Sequence, residues 1–130
     1  MRRGELIKLT WDSVNFINRT ITIIALNSKT ARARTVGMTD RVFNELQKLW
    51  EASPTDLDGL VFGIKDNFKK SFTSACDEAK IEDFHFHDTR RTAITRMIQA
   101  GLAPMEIMKI SAHSQINTFD FRYETVYGLF

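Results

Sequence analysis

The sequence lacks the features that mark secreted, membrane-spanning or disulfide-stabilised proteins. It contains one cysteine, Cys76, which has no partner for an internal disulfide and is typical of a reducing compartment. No run of 18 or more apolar residues is present that could cross a membrane. The basic residues Arg2 and Arg3 are not followed by the apolar core of a signal peptide. We therefore expect a cytoplasmic protein that does not associate with membranes.

The sequence also has little net charge, because 18 lysines and arginines are balanced by 16 acidic residues, for a formal charge of +2. The charges are unevenly distributed: residues 1–41 carry +5, residues 42–83 carry −4 and residues 84–130 carry +1. A basic segment can bind a polyanion despite a small total, because phosphate contacts are local and screened over about 8–10 Å. The alternative is a solvated charged surface, and charge alone does not decide between the two.

The length of 130 residues and an apolar content of 43% predict one globular domain. β-Branched stretches predict strands at residues 13–16 and 20–26 around a turn at Asn18–Arg19, and a third strand at residues 34–36 after a turn at residues 27–30. Helical periodicity predicts the end of a helix at residues 5–11 and helices over residues 40–50, 66–79, 88–100 and 104–110. The expected fold class is α+β, mostly helical, with a small two- or three-stranded antiparallel sheet near the N-terminus.

Four short segments carry residues suited to chemistry at a phosphate. In chain order they are Met1–Leu6 with the pattern R-x-x-E-L, Asn27–Thr30 in the second turn, His87–Thr92 with the pattern H-x-x-R, and Ala112–Tyr123 with an A-H and an R-Y pair. Their order and spacing resemble the catalytic domain of the tyrosine recombinases, the phage integrase family. The resemblance covers essentially the whole chain, and the joint occurrence of the motifs carries it, since no single motif is specific.

The resemblance implies an active site of six residues. They are Arg2, Lys29, His87, Arg90, His113 and Tyr123. In such a site Tyr123 attacks a DNA phosphate and remains joined to it as a 3′-phosphotyrosine, while Lys29 protonates the departing 5′ oxygen and His113 donates a hydrogen bond to the phosphate. Glu5, in the R-x-x-E motif, is expected to orient Arg2 or a neighbouring backbone group.

The chemistry of phosphate transesterification explains why these residue types belong together. The pentavalent transition state places extra negative charge on the non-bridging oxygens, which two arginines can hold with planar, always-charged guanidinium groups. Arg2 and Arg90 are the candidates. A tyrosine hydroxyl has an ordinary pKa near 10, so attack at neutral pH requires that its proton be removed or its anion stabilised. His87, one helical turn before Arg90, is placed to accept that proton or to hold a phosphate oxygen.

Two departures from the family pattern bear on the site. Ala112 stands where the family usually has glycine, which adds one methyl group. Ten residues separate His113 from Tyr123, one more than is expected for close relatives, and on a helix this shift rotates a side chain by about 100°. The Arg122–Tyr123 pair favours Tyr123 as the nucleophile, and Tyr127 is the second candidate.

The resemblance also implies partners, cofactors and domain boundaries. Double-stranded DNA is the expected partner, bound in a tetrameric synapse, with a monomer expected in the absence of DNA. No metal, nucleotide or other cofactor is required, because the phosphotyrosine keeps the energy of the cleaved bond. Residues 1–130 are expected to be the catalytic domain without its N-terminal helices and without a separate core-binding domain, which predicts weak activity for this chain alone.

Three other interpretations compete with a recombinase. A non-catalytic DNA-binding remnant would keep the fold and the basic segment, and a type IB topoisomerase would use a similar set of residues. A zinc site could be drawn from His85, His87 and His113, but the usual cysteine or carboxylate ligands at regular spacing are absent.

Overall fold

The computed structural model describes residues 1–24, 33–52, 56–64 and 68–112, and in these residues it has the predicted α+β architecture. The elements in chain order are α1 (Arg3–Ile7), a 3-10 turn (Trp11–Ser13), β1 (Val14–Asn15), β2 (Thr20–Ile24), β3 (Ala33–Gly37), α2 (Asp40–Ala52), α3 (Phe68–Glu78), α4 (Phe86–Gln99) and α5 (Pro104–Ser111). The chain forms two compact units, one of residues 3–71 and one of residues 1–2 with 72–130.

The three strands form one antiparallel sheet in the order β1-β2-β3, as the sequence predicts. The predicted turn between β1 and β2 is confirmed. Its backbone is held by the side chain of Asn15, whose Oδ1 accepts a hydrogen bond from the Asn18 amide at 2.8 Å. Arg19 closes the turn in the left-handed region, with φ 51°. The second predicted turn, at residues 27–30, lies outside the described residues.

The sheet has an apolar inner face produced by the two-residue period of the strands. Ile21 and Ile23 of β2 are buried, and they pair directly with Val36 and Arg34 of β3. Residues that pair across an antiparallel ladder project to the same face. Arg34 therefore shares a face with two buried isoleucines, where a charged group requires a specific partner.

An aromatic cluster supplies much of the core of this unit. The Trp11 ring lies 5.0 Å from that of Trp50 in an edge arrangement and 6.4 Å from that of Phe16. Phe16 in turn meets Phe43 edge-on at 5.8 Å. The guanidinium of Arg19 lies over the Phe43 ring at 4.3 Å and also pairs with Asp40 at 2.6 Å. Edge contacts of this kind are the favoured aromatic geometry, and they join the chain around the 3-10 turn to α2.

The first helix is shorter than the periodicity predicts, because tertiary hydrogen bonds take its place. We predicted helix as far as Trp11, but α1 ends at Ile7. Beyond it, the Trp11 amide donates to the carbonyl of Gly59 at 3.1 Å, and the Val61 amide donates to that of Leu9 at 2.8 Å. These backbone groups are therefore paired with the loop at residues 56–61 and cannot serve an α-helical ladder.

The other predicted helices are present, with ends shifted by a few residues. Thr39 caps α2, with its Oγ1 accepting a hydrogen bond from the Val42 amide at 3.3 Å. The predicted start of α3, Asp66, lies outside the described residues. Helix α4 begins at Phe86, two residues before the predicted Asp88, and Pro104 opens α5 as predicted. Among the described helices, none is both long and apolar enough to span a membrane.

Helices α4 and α5 pack through a small apolar cluster in the other unit. Ile94, Ile98 and Ile107 are almost completely buried, at 1%, 0% and 0% exposure. Met97, Leu102 and Met108 pack around them. Because Ile94 and Ile98 are four residues apart, they form one stripe on α4, and this stripe fixes the rotation of the helix against α5.

Helix α5 ends at a residue whose backbone conformation is unfavourable for alanine. Ala112 has φ 55° and ψ 41°, the left-handed region, and its amide donates to the carbonyl of Met108. Glycine is the usual residue at such a helix end, because a Cβ atom there costs about 1–2 kcal/mol. A glycine would adopt this conformation without that cost, so the methyl group of Ala112 is borne as strain.

We expect Ala112→Gly to raise the free energy of unfolding by about 0.5–1 kcal/mol, the relief of strain less the added freedom of the unfolded chain. The matched control is Ala100→Gly at the end of α4, where φ is −75° and a Cβ is not strained. That variant should lose about 0.5–1 kcal/mol. Urea denaturation of the three proteins measures both, and equal signs for the two variants would contradict the strain at Ala112.

Candidate active site

The two predicted catalytic arginines converge on the end of α5. Arg90 Nη2 donates a hydrogen bond to the carbonyl of Ser111, and Arg2 Nη2 donates to the carbonyl of Ala112 at 3.3 Å. These two carbonyls belong to consecutive residues, although Arg2 lies 110 positions before its acceptor. The structure therefore brings one arginine from the start of the chain and one from α4 to the same turn of backbone.

Arg90 is held by the packed face of α4. It lies four and eight residues before Ile94 and Ile98, and so on the same stripe of the helix. Its exposure is only 8%, and that of its acceptor residue Ser111 is 3%. A buried guanidinium must be hydrogen-bonded to remain charged at tolerable cost. Because the side chain packs against fixed elements, its charged end has a defined position before any ligand arrives.

His87 lies one turn before Arg90 in the first turn of α4, and its side chain is exposed. Residues three apart on a helix are neighbours on its surface. The predicted placement of His87 beside Arg90 on one helix is therefore confirmed at the level of the backbone.

The start of α4 is fixed by a hydrogen bond between the Asp88 side chain and a backbone amide just before the helix. The His85 amide donates to Asp88 Oδ2 at 2.9 Å, and Thr89 Oγ1 donates to the carbonyl of Phe86 at 2.6 Å. This is half of a capping box, in which the third helical residue satisfies an amide that the helix leaves open. Asp88 is thus a helix-start residue, as the sequence predicts, and it orders the turn that carries His87.

The same contact changes the acidity of Asp88. The hydrogen bond from the His85 amide holds the pKa of the carboxyl below its ordinary value of 3.8. Slight desolvation opposes this shift, and the nearby charge of Arg91, whose Nη1 lies 3.6 Å from Oδ1, adds to it. The ionised form is therefore the one that the folded protein prefers.

We expect Asp88→Ala to destabilise the protein at neutral pH and to do so progressively less in acid. Because the folded-state pKa lies below the unfolded value, the stabilisation is complete above that unfolded value and is lost as the pH falls through the folded one. Urea denaturation of both proteins at a series of pH values measures the difference. Arg91→Gln is the matched control and should keep most of the effect, because the backbone hydrogen bond is its main cause. A difference independent of pH would contradict this origin.

The remaining predicted site residues fall outside the described part of the chain. They are Lys29, His113, Tyr123 and the second tyrosine candidate, Tyr127. His113 is the next residue after Ala112, and so directly follows the two carbonyls that hold the arginines. The roles of the four undescribed residues stay predictions.

Glu5 of the R-x-x-E motif has a partner, Arg34, that the sequence reasoning missed. Glu5 is 7% exposed, and both of its carboxylate oxygens accept hydrogen bonds from Arg34, at 3.0 and 2.8 Å. We expected Glu5 to orient Arg2 or a neighbouring backbone group, and had no role for Arg34. A signal was available: Arg34 alternates with Val36 on the inner face of a predicted strand, where an arginine calls for an acidic partner.

No group of three or more histidine, cysteine or acidic side chains suited to a metal occurs among residues 1–24, 33–52, 56–64 and 68–112. The zinc interpretation also included His113, which is not described, so it draws no support from this part of the chain.

Comparison with known proteins agrees with the resemblance. A sequence model described as the phage integrase family matches residues 1–127, and the chain therefore belongs to the phage integrase family.

Individual relatives agree with this family, and solved structures share the fold. The shufflon-specific DNA recombinase of Escherichia coli is 34% identical over 119 residues, which are 90% of this chain and 29% of that protein. The catalytic domain of bacteriophage HP1 integrase superimposes with a TM-score of 0.72 and 26% identity, over 97% of this chain and 67% of that one. The Tn1549 transposon integrase in complex with transposon right end DNA gives a TM-score of 0.70 and 23% identity, over 95% of this chain and 50% of that one. The chain spans about a third of the length of the curated relatives it matches.

Proposed function

We propose that the protein is a DNA strand transferase that carries out site-specific recombination or integration in the cytoplasm of a bacterial host. It cuts and rejoins one strand of double-stranded DNA at a time, through a covalent 3′-phosphotyrosine and without a metal or nucleotide. Residues 1–130 supply the catalytic portion of this activity.

The observation that carries the proposal is the convergence of Arg2 and Arg90 on the Ser111 and Ala112 carbonyls. If these arginines were ordinary solvated surface charges, they would not need to bind adjacent carbonyls from distant parts of the sequence. One of them is also buried. Two guanidinium groups bound to consecutive backbone carbonyls are suited to hold the two non-bridging oxygens of a phosphodiester. Because Arg90 is already ordered, little conformational freedom is lost when the phosphate binds.

The arginines act on charge that develops during the reaction. As Tyr123 attacks, the phosphate gains negative charge, and donors fixed beforehand stabilise it more in the transition state than in the ground state. The tyrosine oxygen forms its bond to phosphorus while the bond to the 5′ oxygen breaks. The proton of Tyr123 passes to a base, for which His87 is the candidate, and Lys29 gives a proton to the departing 5′ oxygen. Reversal of the same steps by another 5′ hydroxyl rejoins the strand.

We expect the protein to form an SDS-resistant adduct with DNA, and Tyr123→Phe to abolish it while leaving DNA affinity largely unchanged, because only the attacking oxygen is removed. The probe is a pool of nicked duplexes with a randomised central segment, in which the nick lets the freed 5′ end escape and traps the adduct. Sequencing of the trapped DNA identifies the cleaved site.

Tyr127→Phe is the matched control and should leave the adduct intact. Loss of the adduct in Tyr127→Phe and not in Tyr123→Phe would move the nucleophile to Tyr127. Salt-sensitive DNA binding without any adduct in the unaltered protein would overturn the proposal in favour of a non-catalytic DNA-binding protein. Relaxation of supercoiled plasmid at no specific sequence would instead indicate a topoisomerase.

We expect Arg2→Ala and Arg90→Ala each to lower the rate of adduct formation by about 10²–10³, the usual effect of removing one preorganised donor to a developing oxyanion. Arg90→Ala should also destabilise the fold, because the side chain is buried, whereas the exposed Arg2 should matter mainly for rate. Single-turnover kinetics on the recovered site, with urea denaturation alongside, separate the two effects. Full activity of Arg2→Ala would remove this residue from the site.

The proposal includes assembly on DNA. Two cut strands must be exchanged between duplexes, so we propose a tetrameric synapse on two DNA molecules and a monomer without DNA. Analytical ultracentrifugation with and without the recovered site measures both states.

A further inference from the structure

We propose that Ala112 is a positioning residue for Arg2, and that its left-handed backbone conformation sets where Arg2 lies relative to Arg90. The proposal deepens the proposed function and rests on it, because it concerns how the two phosphate-holding arginines are aligned. Ala112 itself does not touch the reacting phosphate in this scheme. The residues concerned all belong to the unit of residues 1–2 and 72–130.

The first step of the argument concerns the two carbonyls that the arginines bind. Arg90 donates to the carbonyl of Ser111, and Arg2 donates to the carbonyl of Ala112. Because peptide groups are planar, the only freely rotating bonds between these two carbonyls are the φ and ψ bonds of Ala112. The backbone conformation of this single residue therefore sets the direction and offset of one acceptor from the other.

The second step is that the Ser111 carbonyl is the fixed member of the pair. Ser111 is the last residue of α5 and is only 3% exposed. Its carbonyl is one of those that a helix leaves without an intrahelical partner, and it receives the hydrogen bond of the buried Arg90. With this acceptor held by α5, the torsion angles of Ala112 decide where the acceptor of Arg2 lies.

The third step is that these angles turn the chain out of the helix. Ala112 has φ 55° and ψ 41°, whereas right-handed angles of about −63° and −42° would continue α5. Its amide still donates to the carbonyl of Met108, as at other helix ends of the left-handed type. The Arg2 acceptor is thus placed by the turn at Ala112 and not by the helix itself.

The end of α5 is also electrostatically suited to hold two cations. Guanidinium groups that meet at one turn of backbone repel each other, but the C-terminal end of a helix carries a partial negative charge that favours cations. Each contact uses one terminal nitrogen of a group that has five N–H donors, so binding a carbonyl is compatible with binding a phosphate oxygen. A displacement of about 1 Å at a catalytic group can cost about 100-fold in rate, so the conformation of Ala112 is sufficient to affect catalysis.

The test compares cleavage of two forms of the DNA site recovered with the unaltered protein. One carries the ordinary scissile phosphodiester, and the other carries a methylphosphonate, in which one charged non-bridging oxygen is a neutral methyl group. In both, the tyrosine oxygen bonds to phosphorus, the bond to the 5′ oxygen breaks, and the 5′ hydroxyl leaves with its proton. Because the methylphosphonate lacks the charge that Arg2 holds, displacing Arg2 should slow its cleavage far less.

We expect Ala112→Val to slow phosphodiester cleavage by about 100-fold and methylphosphonate cleavage much less. A β-branched residue strongly disfavours the left-handed region, so the carbonyl at position 112 turns away from Arg2. Ala112→Gly should keep the rate, because glycine takes the left-handed angles without strain. Ala100→Val is the matched control: it makes the same change at the end of α4, where φ is −75°, and should leave both rates unchanged.

A second form of the experiment keeps the side chain and reverses only its chirality. Joining a recombinant fragment of residues 1–111 to a synthetic peptide of residues 112–130 gives the full chain with either D-alanine or L-alanine at position 112. D-Alanine favours the left-handed region as L-alanine favours the right-handed one. The D form should therefore cleave the phosphodiester at least as fast as the L form made in the same way, and slower cleavage would overturn the proposal even if Ala112→Val folds poorly.

Because Ala112 directly precedes His113, two double variants identify the residue through which it acts. In an Arg2→Ala background, Ala112→Val should slow phosphodiester cleavage little further, since the contact that it disrupts is already lost. In a His113→Ala background it should slow cleavage by its full amount. The reverse pattern would assign the effect to His113 and contradict the proposal, as would equal slowing of the two substrates by Ala112→Val.

The same experiments separate this inference from the proposed function. If the unaltered protein forms no adduct, the proposed function itself fails. An adduct with the unaltered protein, together with no selective effect of Ala112→Val, contradicts only the role of Ala112.

Discussion

A charge removed from water must be paired or hydrogen-bonded, and this constraint governs the buried charged side chains that the structure describes. Among the described residues, the buried polar or charged side chains are Glu5, Arg90 and Ser111. Glu5 is matched by Arg34, and Arg90 by the carbonyl of Ser111. An interior made for stability alone would favour apolar side chains at such positions, because burying ions costs several kcal/mol each.

Each of the two units orders its own charged groups by its own packing. In one, the isoleucine stripe of α4 fixes the rotation that carries Arg90 inward, and the capping contact of Asp88 orders the turn that carries His87. In the other, the strand register places Arg34 opposite Ile23, from where it reaches Glu5. The apolar residues thus act as the reference to which the charged groups are aligned.

The sequence was sufficient to predict the helices and strands that local interactions determine. The alternation at Ile21 and Ile23 gives the two-residue period of a strand, and Pro104 marks the first residue of α5. The structure has the corresponding strand and helix. The helix end at Ile7 was missed because hydrogen bonds from Trp11 to Gly59 decide it, and no local pattern reports a partner so far along the chain. We predicted the start of α4 two residues too late, because Asp88, whose carboxylate caps the helix, is its third residue and not its first.

For the candidate site too, some features could be predicted from the sequence and others could not. Family resemblance named Arg2, His87 and Arg90, and its H-x-x-R motif placed the last two one helical turn apart. The pairing of Glu5 with Arg34 depends on the tertiary fold, so motif spacing could not supply it.

The contact between Arg2 and Ala112 has a consequence for biosynthesis. Its two ends are separated by 110 residues, so it closes a loop that includes nearly all of the chain. A polypeptide emerging from the ribosome contains Arg2 well before the carbonyl that receives it, which is made only with α5. The contact therefore cannot form on a chain whose synthesis has not passed α5.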